Sequence, residues 1–163
     1  MDYNRIYKFF IFTFLIFITS CYHPFLESLF HSKRTIEVRF FSELFSIPNK
    51  SISFDFKKQL EDFIVKRHPT VLVENNGDGY LEGTFVDQII YTTKDNKSKT
   101  VKISVIIRYR DYRDHKKSWE KKFVVSRDFP INPNDEKDDT IPEETFNKIM
   151  EQLVLQVYYK TFH

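Results

Sequence analysis

Hydrophobic residues recur along this chain with two periods. In residues 34–41, Ile36, Val38 and Phe40 fall on one side and Glu37 and Arg39 on the other. That alternation predicts a half-buried strand. After Pro48 the period changes. Ile52, Phe56, Leu60, Phe63 and Ile64 recur at spacings of three and four, which is one stripe of an amphipathic helix. Asn49 or Ser51 is expected to cap it, and Pro69 to end it, because the residue before a proline is pushed out of the helical region.

The second half repeats these signals. Residues 71–73 offer a strand start, and Asn75-Asn76-Gly77-Asp78-Gly79 reads as a turn. Residues 80–91 form a long strand, with Leu81, Gly83, Phe85, Ile89 and Tyr91 expected on one face. Asp87 interrupts that face, and a bulge near it would turn it outward. Val101, Ile103, Val105, Ile107 and Tyr109 alternate cleanly with polar residues. Residues 111–117 form a hairpin tip, and 118–126 the return strand, where the stem of Lys121 is expected to snorkel. Thr140-Ile141-Pro142-Glu143 predicts a capping box. The stripe Phe146, Ile149, Met150, Leu153, Val154, Val157, Tyr158 then predicts the closing helix.

The expected fold class is α+β, in the order β-α-β-β-β-α. Two helices pack on one face of a mostly antiparallel four-stranded sheet, as a two-layer sandwich. The opposite face, from Glu37 and Arg39 through Glu82, Lys102, Arg108 and Val124, is polar with scattered apolar residues. It suits either a wet surface or a polar interface.

The N-terminus has another character. Residues 9–21, FFIFTFLIFITSC, are an apolar run behind Arg5 and Lys8, ending on the chain's one cysteine. A basic start, a short apolar stretch and small residues at a cleavage point make an export signal. The run is shorter than the roughly 20 residues of a spanning helix. Ile18-Thr19-Ser20-Cys21 resembles a bacterial lipobox, whose cysteine carries diacylglycerol and N-acyl chains and becomes the mature N-terminus. Residues 1–20 are read as signal peptide, 21–33 as lipidated tether and 34–163 as the folded domain.

Composition then removes several function classes. The chain of 163 residues has a net charge of +2; losing Arg5, Lys8 and Asp2 with the signal leaves +1, so bulk charge gives no reason to expect nucleic acid. With Cys21 lipidated, no thiol remains for a disulfide, a zinc site or a nucleophile. Eighteen phenylalanines beside three glycines fit a biased genome, and Gly77, Gly79 and Gly83 lack the spacing of a phosphate loop. The histidines form no HExxH pair, and no G-x-S-x-G elbow occurs. Asp135, Glu136, Asp138 and Asp139 lack the glycine and spacing of a calcium loop and read as a solvated charge run. No enzyme, metal or other cofactor is expected.

One basic cluster stands out. Arg108, Arg110, Arg113, Lys116 and Lys117 surround the hairpin tip, interleaved with Tyr109, Tyr112 and Trp119. It reads either as an anion site for the phosphates of a glycolipid, where Arg forks give bidentate contacts, or as a solvated tip offset by Asp111 and Asp114.

Taken in order, several segments resemble one family. They are the lipobox Cys21 with a short tether, Thr35-Ile36-Glu37-Val38-Arg39-Phe40-Phe41, and the stretch Gly79-Tyr80-Leu81-Glu82-Gly83-Thr84-Phe85-Val86-Asp87. Arg127-Asp128-Phe129-Pro130 and a closing helix with Glu151-Gln152-Leu153-Val154 complete the set. The pattern is similar to the LptE-type lipopolysaccharide-assembly lipoproteins, in the form found in Bacteroidetes-like bacteria. The resemblance implies a lipoprotein anchored on the periplasmic side of the outer membrane. Its partner would be the LptD-type β-barrel, which it would plug and help assemble during lipopolysaccharide insertion. It carries no lipopolysaccharide-binding residues over; the basic cluster is a candidate on its own chemistry. The alternative is a stand-alone periplasmic lipoprotein that binds or shuttles a lipid in an internal apolar cavity.

Overall fold

A computed structural model of the chain describes residues 34–47, 50–94, 98–131 and 140–163. The signal and tether, Cys21 included, and the acidic run 135–139 lie outside the described residues. The elements are β1 (Ile36–Glu43), α1 (Ile52–Arg67), β2 (Leu72–Val73), β3 (Gly79–Thr92), β4 (Ser98–Asp111), a 3-10 turn (His115–Lys117), β5 (Trp119–Pro130) and α2 (Glu143–Phe162).

The α+β class holds, but the sheet differs from the expected four antiparallel strands. It has five strands in the order β2-β1-β3-β4-β5. β1 runs parallel to both β2 and β3, whereas β3, β4 and β5 pair antiparallel. Parallel neighbours need a crossover, and α1 supplies it between β1 and β2. The loop 74–78 then carries the chain from one side of β1 to the other. Gly77 sits at the crossing, where a Cβ would lie 2.8 Å from the Glu37 backbone nitrogen. Asn76, not a glycine, takes the positive φ of 59° in this turn.

The helices form for the reasons their sequences suggest. Ser51 caps α1, and its hydroxyl accepts from the Phe54 N–H. Ile52, Phe56, Leu60 and Ile64 are buried, and the helix stops at Arg67, just before His68 and Pro69. α2 buries all seven residues of its predicted stripe. Its start departs from the expected capping box: Pro142 occupies the cap position with no side-chain hydrogen bond. Proline's fixed φ suits the helix entry and leaves the first turn without a side-chain acceptor.

Two one-residue bulges change which side chains face the core. In β1, Val38 pairs with Leu81 but Phe41 with Gly83, so Arg39 and Phe40 together span one position of β3. Phe41 therefore enters the core in place of the expected Phe40. In β3, Phe85 pairs with Val105 and Asp87 with Ser104, leaving Val86 as the extra residue. Beyond it Ile90 packs against the core, while Ile89 and Tyr91 turn outward and are 42% and 51% exposed. The expected placement of Ile89 and Tyr91 inside is thus corrected, because an inserted residue reverses the parity of everything after it. The same shift aligns Gln88 with core-facing Ile103.

The core lies between the helices and the sheet. Phe41, Phe56 and Phe85 meet edge to face, with ring centroids 5.0 and 5.5 Å apart. Such pairs contribute about 0.5–1.5 kcal/mol each beyond area burial. Gly83 admits the Phe41 ring: a Cβ there would lie 2.8 Å from Phe41 Cε1. β4 contributes Val101, Ile103, Val105, Ile107 and Tyr109, all buried as its alternation predicted.

Candidate functional site

The sheet face away from the helices concentrates the chain's unusual side chains. Its half nearest the start of β1 is polar and ion-paired. Opposed residues share a face, and Glu82, Arg108 and Glu120 occupy one row across β3, β4 and β5. Arg108 Nη1 lies 3.2 Å from Glu82 Oε1, and its Nε 2.8 Å from Glu120 Oε2. The hydrogen bond and charge of Glu120, then those of Glu82, hold the guanidinium charged and raise its pKa further. Beside this row, Arg39 Nε donates to Glu37 Oε1 at 2.8 Å, and its guanidinium lies 3.8 Å over the Tyr80 ring.

The other half of the face interleaves exposed apolar residues with polar ones, since Lys102 lies opposite Ile89 and Lys122 opposite Ile106, with Asp128 in the row of Tyr91. Ile89 and Tyr91 come from β3, Ile106 from β4 and Val124 from β5. Ser42 faces the same way, since its hydroxyl meets that of Thr84 at 2.8 Å. Phe40 and Leu44, two residues to either side of Ser42, continue this surface and are among the most exposed large hydrophobics of the domain. Period-two reading finds Ile106 and Val124. It misses Ile89, Tyr91 and Phe40, since only a bulge puts them here.

The basic cluster divides. Arg108 is held by its two glutamates, and Arg113 Nε is 2.7 Å from Asp78 Oδ1. Arg110, Lys116 and Lys117 are exposed and carry no ion pair among the described residues. Under them lies a network of carboxylates. Buried Asp111 accepts from Arg34 Nη1 at 2.6 Å and from the N–H groups of Arg113 and Asp114. Asp78 accepts from the N–H and hydroxyl of Thr35. The Thr35 N–H is the largest influence lowering the Asp78 pKa. Burial, followed by the charge of Asp111, pushes the Tyr109 phenol up to about 12.

An open groove of about 430 Å³ runs between the helices, lined by Gln59, Phe63, Lys66, Glu151, Val154 and Leu155. Among the described residues no group of three His, Cys, Asp or Glu side chains is placed to hold a metal ion. No helix there is long and apolar enough to cross a membrane.

The sequence matches no protein-family profile and no curated protein. The fold is shared with a solved hypothetical protein from Chlamydia trachomatis, at a TM-score of 0.54 and 9% identity, covering 79% of this chain and 98% of that one. A minor lipoprotein from Acinetobacter baumannii overlaps at a TM-score of 0.48 and 14% identity, covering 74% of this chain and 89% of that one. The rare lipoprotein B from Shewanella oneidensis does so at 0.36 and 12% identity, with 78% and 85% covered.

Proposed function

We propose that this protein is a lipid-anchored, non-catalytic component of the outer membrane. It acts from the periplasmic side as plug and assembly partner of an LptD-type β-barrel in lipopolysaccharide insertion. Cys21, at the end of the lipobox, carries the anchor. The observation that carries the partner reading is the outer sheet face. Its ion-paired half matches the polar interior of a barrel. Its other half exposes Ile89, Tyr91, Ile106 and Val124 among Lys102, Lys122 and Asp128, a mix of apolar and charged side chains that suits a polar interface with a partner. Arg110, Lys116 and Lys117 are the cluster members left available for anionic groups; Arg108 and Arg113 are engaged by carboxylates.

The packing favours this reading over a lipid shuttle. Phe41, Phe56 and Phe85 fill the space between α1 and the sheet, where acyl chains would have to enter. The test is isolation of tagged protein from native membranes in mild detergent. A large β-barrel is expected to co-purify in stoichiometric amount, and repeated recovery of the protein alone would overturn the proposal.

A further inference from the structure

The first described residue, Arg34, and the basic hairpin tip lie at the same end of the domain. The folded domain begins at Arg34, and Arg34 Nη1 meets Asp111 Oδ2 at 2.6 Å. Asp111 is the last residue of β4, and the reversal beyond it carries Tyr112, Lys116 and Lys117. Thr35 is fastened to Asp78 by its N–H at 2.9 Å and its hydroxyl at 3.0 Å, and Asp78 also holds Arg113 from the tip. The entry point is therefore bound to the base of the tip by two carboxylates. The twelve residues from Tyr22 to Lys33 separate it from Cys21. Such a segment spans at most about 40 Å when fully extended.

The charge left over at this end is positive. Asp78 and Asp111 are offset by Arg113 and Arg34, and Asp114, which accepts from the Lys116 N–H at 3.2 Å, keeps its charge, so Arg110, Lys116 and Lys117 leave an excess of two positive charges over it. Arg110, Lys116 and Lys117 point to solvent beside exposed Tyr112. Both helices also end in basic turns, with Lys66 and Arg67 on α1 and Lys160 on α2. The last turns of the two helices meet where His68 Nε2 and Tyr158 Oη approach to 2.8 Å.

We propose that the hairpin tip is a membrane-surface contact. Arg110, Lys116 and Lys117 engage the phosphates of anionic phospholipids in the bilayer that holds the lipid on Cys21. The inference rests on the lipid-anchor reading and adds an orientation to it. An acyl anchor joined to a basic patch binds a membrane more firmly than either alone. With the tip down, the strands stand away from the bilayer and the outer sheet face looks along the membrane, toward a barrel embedded in it. Each cation near an anionic surface contributes about fivefold in partitioning, the equivalent of about 1 kcal/mol.

The test uses the full chain carrying His115→Cys, labelled with a polarity-sensitive dye and reconstituted into vesicles. His115 is exposed on the tip, and its ring has no partner among the described residues. Emission is expected to shift to the blue on phosphatidylglycerol vesicles and not on phosphatidylcholine. The shift should disappear in Arg110→Glu/Lys117→Glu and at about 1 M salt, where the Debye length is about 3 Å. Equal emission on both bilayers, or a shift that survives the charge reversals, overturns the proposal. A response to lipopolysaccharide alone also overturns it, by assigning the tip to cargo. The intact mass of the unlabelled protein reports separately on Cys21: an unlipidated mass removes the anchor reading, and the dye is then placed on Cys21→Ser/His115→Cys, where the tip holds the one thiol.

Discussion

Phe40 and Phe41 are adjacent in the chain and lie in opposite environments. Phe40 is 76% exposed, whereas Phe41 is 2% exposed and its ring centroid is 5.0 Å from that of Phe56. The β1 bulge separates them. Phe41→Ala should therefore destabilise the domain by about 3–5 kcal/mol, and Phe40→Ala by no more than about 0.5 kcal/mol. Urea unfolding of the two variants checks this, and equal losses would place the bulge elsewhere.

Ser104 offers the opposite kind of change. Its hydroxyl is buried on the outer face and has no hydrogen-bond partner among the described residues. An unsatisfied buried polar group costs about 1–3 kcal/mol. Ser104→Ala is expected to leave stability unchanged or to raise it by about 1 kcal/mol. A clear loss in thermal unfolding would show that the hydroxyl finds a partner in solution.

Two carboxylates set the acid limit of the fold. Hydrogen bonding, led by the Thr35 N–H, lowers Asp78 from its usual 3.8. Burial pushes Glu43 up, but hydrogen bonds from Ser51 and Ser53 outweigh it, so its pKa falls below the usual 4.5. Folded pKa values below unfolded ones contribute stability that is present above the unfolded values and lost as pH falls through the folded ones. Thermal midpoints should hold steady down to about pH 5 and decline below about pH 4. Asp78→Asn should lower the midpoint at neutral pH and flatten the acid decline. An unchanged acid profile would remove Asp78 from this role.

The outer face can be separated from the fold. Tyr91 and Ile106 are exposed there, so Tyr91→Glu/Ile106→Glu should change stability by less than about 1 kcal/mol. The same double variant should lose the co-purifying barrel from native membranes. Full retention of the partner would move the interface away from this face.

Cys21 is tested by fractionation. Cys21→Ala should yield a protein that is unprocessed or unanchored, with a mobility different from that of the wild type. A variant that fractionates and migrates as the wild type does would end the lipobox reading.

Much of the fold was legible because its signals are local. The stripes of α1 and α2 and the alternation of β4 depend only on residues within a few positions of one another, and they match the burial found except at Phe63, which is partly buried against the core. The site was less legible. Arg108 and Arg113 look as free in the sequence as Arg110, yet their partners Glu82 and Asp78 lie 26 and 35 positions earlier in the chain.

The sequence by itself determined the order of the main elements, the two helical faces and the apolar side of β4. Tertiary structure decided that β1 lies parallel to β2 and β3, that Phe41 rather than Phe40 enters the core, and that Ile89 and Tyr91 face outward. It also decided that three of the five cations have no ion pair among the described residues. Strand partners, bulges and ion pairs are choices between distant segments. One residue inserted opposite a neighbouring strand reverses every side chain after it, and the period along a single strand does not record that insertion.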